Sequence, residues 1–575
     1  MAAGAALCLP DILMAARRDL ARKNFPDVAR SWDGNGRYIA NALDGDTNLQ
    51  PPRAAQAART GWPWDPFVRG NHSLRLASRD GLTYAAMGLA IRCAGSVDRG
   101  WVLLRFICGA GWVLLVYALV APLSRNRSWA VLCAMLLALF FDFPHNNPID
   151  DGLLNWIRQG AVRLYWAAGP YAYWFGVSRI PNPGLTVMPF LGAVALLAAV
   201  LAAKTPRSRF ATAVGAGLLT GALAYVHTDV WMVAMAGLAL LTGCRLLGER
   251  RLPAGLFAAC VCAGLVSLPW VLLNHGTDPE QMVRAEIVFG RTPSLTGLIF
   301  LAGAAAAWRF LPRDPVALVL ESFLAAAGLA AQTQVLLGWN FSLLRWYHPG
   351  VVCLLVLGLA AVGRLLPSSR DWLWAAAVIL SIAIARATSY AAQRYPYQAL
   401  PARVDAGLTW LDKNAAPDSV VATLSPLETL LIPTYSSCKT LVPTAIILHS
   451  DLPVADIVRR LRRALQQYGI GEDAYLAAVD AHSYPDKKIS DDIWRGHIDW
   501  EETDWIGTPF QGYPRKLSLE ALRAQKGQPT GDANADYLWV GALERSLLSA
   551  VALKRLGYPL FQDGDVAIYR APPAL

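Results

Sequence analysis

The sequence predicts a polytopic α-helical membrane protein with about 10 or 11 spans and a C-terminal α/β domain outside the membrane. The composition gives the first reason: the 575 residues are 55% hydrophobic and 16% charged, with a mean hydropathy of +0.33. About a quarter of the residues in a soluble domain are charged. The second reason is a series of apolar runs between residues 101 and 390. The third is that the chain from residue 391 onward has the composition and size of a soluble domain.

The chain divides where the composition changes. Residues 1–16 are apolar but short, and Pro10 and Asp11 interrupt them, so they predict a marginal or truncated first span. They also lack the basic start of a signal peptide. Residues 17–100 are predicted to form a first external loop, in which the apolar patch 82–93 is an interfacial helix. Residues 101–390 then form the transmembrane helical domain, and residues 391–575 form the external α/β domain.

The apolar runs define the predicted spans. Several match the roughly 20 residues that cross the hydrocarbon core of a bilayer, and the shorter ones would tilt less or thin the bilayer locally. The runs are 101–120, 129–141, 184–203, 210–226, 230–247, 253–273, 295–307, 316–337, 349–366 and 372–390.

Basic residues in every second short loop predict the orientation of these spans. By the positive-inside rule such loops are cytoplasmic, which places residues 17–100 and the C-terminal domain outside. The net charge of +10 therefore indicates membrane topology rather than a nucleic-acid partner. The basic loops contain Arg125 and Arg127; Lys204, Arg207 and Arg209; Arg245, Arg250 and Arg251; Arg309 and Arg313; and Arg364 and Arg370.

Several classes of site have no pattern in this sequence. The nine cysteines are scattered without the spacing of a zinc site or a CxxC motif. There is also no Walker loop, GxSxG or HExxH motif, and no GxGxxG that opens a soluble βαβ unit. A cytosolic nucleotide site is therefore not expected.

The acidic stretch at residues 25–46 is the first candidate site. It places four aspartates near Arg37 in a predicted external loop: Asp27, Asp33, Asp44 and Asp46. A carboxylate at a membrane face can deprotonate an acceptor hydroxyl or bind a divalent ion. The alternative is that these aspartates cap helices and turns, because Asp33-Gly34-Asn35-Gly36 is also a strong turn signal.

The second predicted external loop, at residues 142–183, mixes acidic and basic side chains. Guanidinium groups bind phosphate in a fork and carboxylates accept hydrogen bonds from sugar hydroxyls, so this mixture fits a sugar-phosphate substrate. Ion pairs within a solvated loop are the alternative. The charged residues are Asp142, His145, Asp150, Asp151, Arg158, Arg163 and Arg179.

Two further pairs lie at predicted outer ends of spans. His227 and Asp229 occupy a tight turn, where they pair with each other or reach a common cleft. Arg345 and His348 lie among aromatic residues. They form either an interfacial aromatic belt with a snorkelling arginine or a phosphate anchor for a lipid-linked donor.

Periodicity predicts the elements of the C-terminal domain. Helices are expected at 404–414, 454–468 and 543–556, and strands at 419–424 and 536–541. Residues 560–570 are expected to form a closing hairpin, and 485–529 a long surface excursion.

With these residues in place, the chain resembles the GT-C superfamily of integral membrane glycosyltransferases. This superfamily includes oligosaccharyltransferase catalytic subunits and polyprenyl-phosphate-sugar mannosyl- and arabinosyltransferases. The likeness lies in the acidic first external loop, the Arg-x-Pro-Asn-Pro sequence at 179–183 before a span, and the C-terminal external domain. That domain begins with TWLDKNAAPDSVVATLSPLETLLIPTYSSCKTLV, which is similar to segments of bacterial relatives, and it ends with DYLWVG and DVAIYR.

The resemblance implies an inverting transferase that moves a sugar from a polyprenyl-phosphate carrier to a glycan or lipid acceptor at the outer face of a bacterial inner membrane. Asp33 in SWDGNGRY best matches the acidic residue that acts as general base or metal ligand, and Asp27 is the alternative. A divalent cation (Mg²⁺ or Mn²⁺) at Asp33 and Asp150 stays open. The residues expected to bind substrate are Arg37, Asp150, Asp151, Arg179, His227, Asp229, Arg345 and His348.

The chain also departs from part of the superfamily. No WWD motif of the oligosaccharyltransferases occurs in the C-terminal domain, so a lipid-monophosphate sugar donor is expected rather than protein N-glycosylation. Two other functions stay open: a transporter or flippase for lipid-linked glycans, and a non-catalytic scaffold of glycan assembly. Transport would favour ionisable residues within the spans, where Glu321 and Arg386 are among the few.

Overall fold

The computed structural model describes residues 1–16, 50–140, 184–274, 288–289, 291, 293–340, 343–394, 400–442, 452, 454–475 and 533–572. The helices before residue 400 are α1 (Ala2–Ala16), α2 (Pro51–Thr60), α3 (Leu74–Ser78), α4 (Gly81–Ala94), α5 (Val97–Ser124), α6 (Arg127–Phe140), α7 (Gly184–Ala202), α8 (Pro206–Ala222), α9 (Thr228–Glu249), α10 (Ala254–Asn274), α11 (Leu295–Phe310), α12 (Pro315–Ala331), α13 (Thr333–Leu337), α14 (Leu343–Leu365) and α15 (Asp371–Arg394). A short antiparallel pair, β1 (Val288–Phe289) and β2 (Trp339–Asn340), lies among them.

Each apolar run predicted to span the membrane is helical over most of its length. Two runs are divided: 210–226 forms α8 and a 3₁₀ turn at Leu223–Tyr225, and 316–337 forms α12 and α13. In the described part of the chain, six helical segments are long and apolar enough to cross a membrane: α5, α7, α9, α10, α12 with α13, and α14. Shorter apolar helices lie within α1, α6, α11 and α15. These helices agree with a polytopic helical protein, and the count of about 10 or 11 spans stays a prediction.

Local sequence sets where the helices begin. The Thr205 hydroxyl accepts a hydrogen bond from the Ser208 backbone N–H (3.2 Å) at the start of α8. In the same way, the Asp314 carboxylate accepts one from the Val316 N–H (2.8 Å) at the start of α12. A proline follows each capping residue, as its fixed φ and missing N–H favour at a first helical turn.

Small residues hold α8 and α10 close together. A Cβ atom on Gly217 would lie 2.5 Å from the Ala259 carbonyl oxygen, and one on Gly221 would lie 2.6 Å from the Ala263 carbonyl oxygen. The two contacts advance together along both helices, so α8 and α10 run parallel. This is the close packing that a GxxxG spacing permits between membrane helices.

The ends of the helices separate into two groups. At one end, which we call the domain end, Tyr435 of the C-terminal domain donates its hydroxyl hydrogen to Asp98 at the start of α5 (3.0 Å). At the opposite end, the basic end, Arg364 in the last turn of α14 donates to the Leu123 carbonyl near the end of α5 (3.4 Å). Two loops that the positive-inside rule groups together are therefore neighbours.

Helix α1 runs antiparallel to α5. Gly4 packs against the backbone of Phe106, and four residues later the Cys8 thiol donates to the Val102 carbonyl (3.1 Å). The C-terminal end of α1 therefore points toward the domain end. The chain leaves α1 on the side that holds residues 50–100, as the predicted first external loop requires.

A buried ion pair fixes α1 to α5. One guanidinium nitrogen of Arg105, Nη1, lies 2.7 Å and 2.6 Å from the two carboxylate oxygens of Asp11. The Asp11 side chain is 2% exposed and the Arg105 side chain 12% exposed. Asp11, which interrupts the apolar run in the sequence, thus has a partner 94 residues away.

The C-terminal domain is a mixed sheet with helices on both faces. Its helices are α16 (Ala402–Asn414), α17 (Pro426–Tyr435), α18 (Val454–Tyr468), α19 (Ala542–Leu547) and α20 (Ala550–Arg555). Its strands are β3 (Val420–Ala422), β4 (Lys439–Thr440), β5 (Tyr537–Val540), β6 (Phe561–Asp563) and β7 (Val566–Arg570). The strand order is β4-β3-β5-β7-β6, with β4, β3 and β5 parallel and β7 antiparallel to both β5 and β6.

Alternate residues of each central strand enter two different cores. Leu538 and Val540 of β5 pack in the core that contains α18, whereas Trp539 packs in the core that contains α16 and α17. This alternation of side chains is the expected pattern for a strand covered on both faces. It produces a three-layer α/β arrangement.

The structure corrects one predicted element of this domain. Residues 543–556 do not form one helix, because Leu548 has an extended backbone and separates α19 from α20. Ser549 then caps α20 by accepting from the Ala552 N–H (3.1 Å). The sequence-based interpretation also omitted α17 and β4, whereas α18 has the predicted bounds.

Candidate functional site at the domain end

The structure describes part of the predicted site. Asp27, Asp33, Arg37, Asp150, Asp151 and Arg179 lie outside the described residues, so their positions stay predictions. Arg345 lies in the first turn of α14, but its side chain is not among those described. His227, Asp229 and His348 are described, and His348 is half-buried near the start of the same helix.

His227 and Asp229 form a close pair at the start of α9. The 3₁₀ turn ends α8, and the His227 backbone N–H donates to the Leu223 carbonyl (2.9 Å) before the chain reverses. His227 Nδ1 then lies 3.6 Å from the Asp229 carboxylate, with side-chain exposures of 16% and 9%. Asp229 is in the first turn of α9, where the helix N-terminus favours a negative charge. A carboxylate beside an imidazole can orient it for hydrogen bonding or proton transfer.

The segment that precedes α5 contacts the residue before His227 and the end of α10. The Thr83 hydroxyl at the start of α4 donates to the Val226 carbonyl, one residue before His227 (2.8 Å). Nearby, Arg79 Nε donates to the Asn274 side chain at the end of α10 (3.0 Å). The start of α4 therefore contacts the turn that holds His227, whereas the end of α3 contacts the end of α10.

The start of α14 belongs to a second polar region. Gly350 of α14 packs on Phe300 of α11, and strand β2 leads from α13 toward α14. Arg291 Nη1 donates to the carbonyl oxygens of Val335 (3.1 Å) and Leu336 (3.2 Å) in α13. Sequence reasoning missed Arg291, although an arginine in a predicted outer loop runs against the positive-inside trend just as Arg345 does. The structure thus brings His227 and Asp229 together, and it places His348 on a different pair of helices.

Residues 50–72 dock on the C-terminal domain. Arg59 in α2 donates to the carbonyl oxygens of Ser436 (2.5 Å) and Pro433 at the end of α17. Lys439 of β4 donates to the backbone carbonyl of Asp65 (2.9 Å). Burial raises the pKa of the Asp65 carboxyl and lowers the pKa of the Lys439 ammonium group. Residues 50–72 of the predicted first external loop are thus packed against the C-terminal domain at the domain end.

A side chain of the protein, Glu544, lies at the C-terminal edge of the parallel strands. Glu544, with 0% exposure, accepts at Oε1 from the Thr423 hydroxyl (2.8 Å) and the Leu424 N–H (2.7 Å). Its Oε2 accepts from the Gly541 N–H (3.0 Å). Thr423 and Leu424 follow β3 and precede α17. This is a location where α/β folds commonly bind ligand anions. The Glu544 carboxylate of the protein itself occupies this location.

Among the described residues, no group of three or more His, Cys, Asp or Glu side chains could hold a metal ion. The two predicted metal ligands, Asp33 and Asp150, are not among those residues. No family model matches the chain, and no curated protein matches it.

Proposed function

We propose that the protein is an inverting membrane glycosyltransferase that moves a sugar from a polyprenyl-phosphate carrier to a glycan or lipid acceptor. The reaction takes place at the domain end, which is the outer face of a bacterial inner membrane. The proposal is supported by apolar helices with polar groups at one end and by a packed α/β domain at that same end. The observation that carries it is the His227–Asp229 pair, which follows directly on the turn that contacts the start of α4.

In the proposed mechanism, the acidic stretch at residues 25–46 supplies the general base. Asp33, or Asp27 in its place, removes the proton of the acceptor hydroxyl as the acceptor oxygen bonds to the anomeric carbon. The bond from that carbon to the phosphate oxygen breaks, and polyprenyl phosphate leaves with its electron pair. Arg179 or Arg345 stabilises the developing charge of the leaving phosphate. His227 and Asp229 hold sugar hydroxyl groups at the helix ends. These steps use side chains of the protein, and a divalent ion at Asp33 and Asp150 would add stabilisation of phosphate charge.

The test is an Asp33→Asn variant, compared with an Asp44→Asn control from the same acidic stretch. Membranes with equal amounts of each protein are assayed for formation of the surface glycan. We expect product to be lost with Asp33→Asn and kept with Asp44→Asn, because Asp44 has no assigned role in the reaction. Full product from Asp33→Asn, and from Asp27→Asn as well, would refute the assignment of the base.

A second set of variants tests the pair at α9. His227→Gln and Asp229→Asn are expected to raise the KM for the sugar donor with a smaller change in kcat, because they remove binding contacts. An unchanged KM in both variants would show that the pair has only a structural role.

One observation favours the transporter alternative. Glu321 in α12 is 6% exposed and lies among apolar side chains of that helix. A buried acidic group within apolar helices is typical of transport pathways and proton relays. If Glu321→Gln abolishes movement of a lipid-linked glycan across proteoliposomes while Asp33→Asn does not, the transport function replaces the transferase.

A further inference from the structure

The side chain of Arg53 is unusual in the region between the helices and the C-terminal domain. Arg53 lies in the first turn of α2 and is 0% exposed. Its guanidinium carbon lies 4.1 Å from the centre of the Tyr84 ring in α4, a cation–π arrangement. No sequence pattern distinguishes this residue from the other arginines of the same predicted loop.

Only part of the Arg53 guanidinium is hydrogen-bonded. Nη2 donates to the Leu76 carbonyl (2.8 Å) and to the Arg79 carbonyl (2.9 Å), both at the end of α3. Nε and Nη1 are buried and have no hydrogen-bond partner in the described part of the chain. These two atoms carry three N–H donors. Since buried donors are nearly always satisfied in native proteins, the free donors of Arg53 require a partner.

Arg53 also has no ion-pair partner in the part of the chain that the structure describes. Its contacts there are two backbone carbonyls and the ring and hydroxyl of Tyr84. The acidic group nearby is Asp80; burial, and to a smaller extent this carboxylate, raises the pKa of the Tyr84 hydroxyl. A buried charge without a counter-charge is strongly unfavourable unless another anion is bound.

We propose that Arg53 binds the phosphate group of a ligand through Nε and Nη1. A phosphate supplies several acceptor oxygens and a negative charge, which match three N–H donors and an uncompensated guanidinium. This proposal rests on the proposed function insofar as the ligand is a polyprenyl phosphate. It adds a phosphate-binding residue distinct from Arg37, Arg179 and Arg345. The site lies where α2, α3 and α4 meet, beside the domain-end termini of α9 and α10.

The experiment measures ligand binding by the full-length protein in phosphatidylcholine nanodiscs. The probes are farnesyl phosphate, farnesol and inorganic phosphate, and the readout is the rise in thermal midpoint as each probe is added. We expect farnesyl phosphate to stabilise the protein and farnesol to have no effect. Binding of inorganic phosphate with the same affinity would identify free phosphate, rather than a lipid phosphate, as the ligand. Equal effects of farnesol and farnesyl phosphate, or no binding of either phosphate probe, would overturn the proposal.

Variants then identify the residue. Arg53→Met is expected to abolish the phosphate-dependent rise in midpoint, and Arg53→Lys to weaken farnesyl phosphate binding at least tenfold. The control is Arg99→Gln, which removes an exposed arginine from the start of α5 at the same end of the helices. If Arg53→Met does not fold, Arg53→Lys decides the result. Wild-type binding by Arg53→Lys, with its phosphate selectivity intact, contradicts the assignment.

The proposed function and this inference can fail separately. Phosphate binding that depends on Arg53, in a protein that transfers no sugar, keeps the inference and rejects the glycosyltransferase. Sugar transfer with a wild-type KM in Arg53→Lys rejects the inference and keeps the glycosyltransferase.

Discussion

Replacing Glu544 should destabilise the C-terminal domain far more than replacing an exposed glutamate. Its fully buried carboxylate accepts hydrogen bonds from the Thr423 hydroxyl and from the backbone N–H groups of Leu424, Ser425 and Gly541. Glu544→Ala leaves these buried donors without an acceptor. Each buried donor left unsatisfied costs about 1–3 kcal/mol, so we expect the loss of several together to cost about 3–5 kcal/mol.

Glu544→Gln separates the loss of charge from the loss of the side chain. Glutamine keeps one oxygen that can accept from Thr423 and Leu424, but places an NH₂ group against the Gly541 N–H. One buried donor is then unsatisfied, and we expect a cost of about 1–3 kcal/mol. The control is Glu249→Gln, which removes an exposed ion pair with Arg245 (2.6 Å) on one face of α9. Such pairs contribute about 0.3–0.5 kcal/mol.

Hydrogen–deuterium exchange of the full-length protein measures these effects locally. The amides of β3 and α17 report the opening of the domain, because exchange from a folded region follows its local free energy of unfolding. A cost of about 3–5 kcal/mol corresponds to exchange that is about a hundred to a few thousand times faster. If Glu544→Ala exchanges no faster than Glu249→Gln, the carboxylate does not hold these elements together and the reasoning fails.

Three further predictions concern the Asp11–Arg105 ion pair, the packing of α8 against α10, and the Cys438 thiol. Asp11→Leu leaves the Arg105 charge buried and should lower stability in detergent by about 3–5 kcal/mol. Replacing both residues by leucine should restore most of that stability. Equal losses of stability in the single and double variants would exclude the ion pair. Gly221→Leu should separate α8 from α10 and lower the thermal midpoint, while Gly215→Leu should not, because a Cβ atom on Gly215 would meet nothing within 4 Å. Burial raises the pKa of the Cys438 thiol from 9.0 to about 11, so stability is full below pH 9 and declines as the pH rises toward 11. A flat stability profile from about pH 8 to about pH 11, or persistence of the decline in Cys438→Ser, would contradict this.

The sequence determined the helical elements because their signals are local. Apolar runs and capping residues such as Thr205 and Asp314 act within a few residues, so the helices appear close to the predicted positions. The break between α19 and α20 was missed because the apolar pattern continues through Leu548. The sequence also offered the pairing of His227 with Asp229 as one of two alternatives, because a separation of two residues in a tight turn favours contact.

Only the tertiary structure decided which polar groups meet across the chain. The Asp11–Arg105 pair joins residues 94 positions apart, and Arg59 reaches a carbonyl 377 positions away. No local pattern encodes such contacts, because they depend on how the helices and the C-terminal domain pack. Arg53 shows this most clearly: in the sequence it is one arginine among several. Its burial, its ring contact and its free donors arise only when α2, α3 and α4 come together.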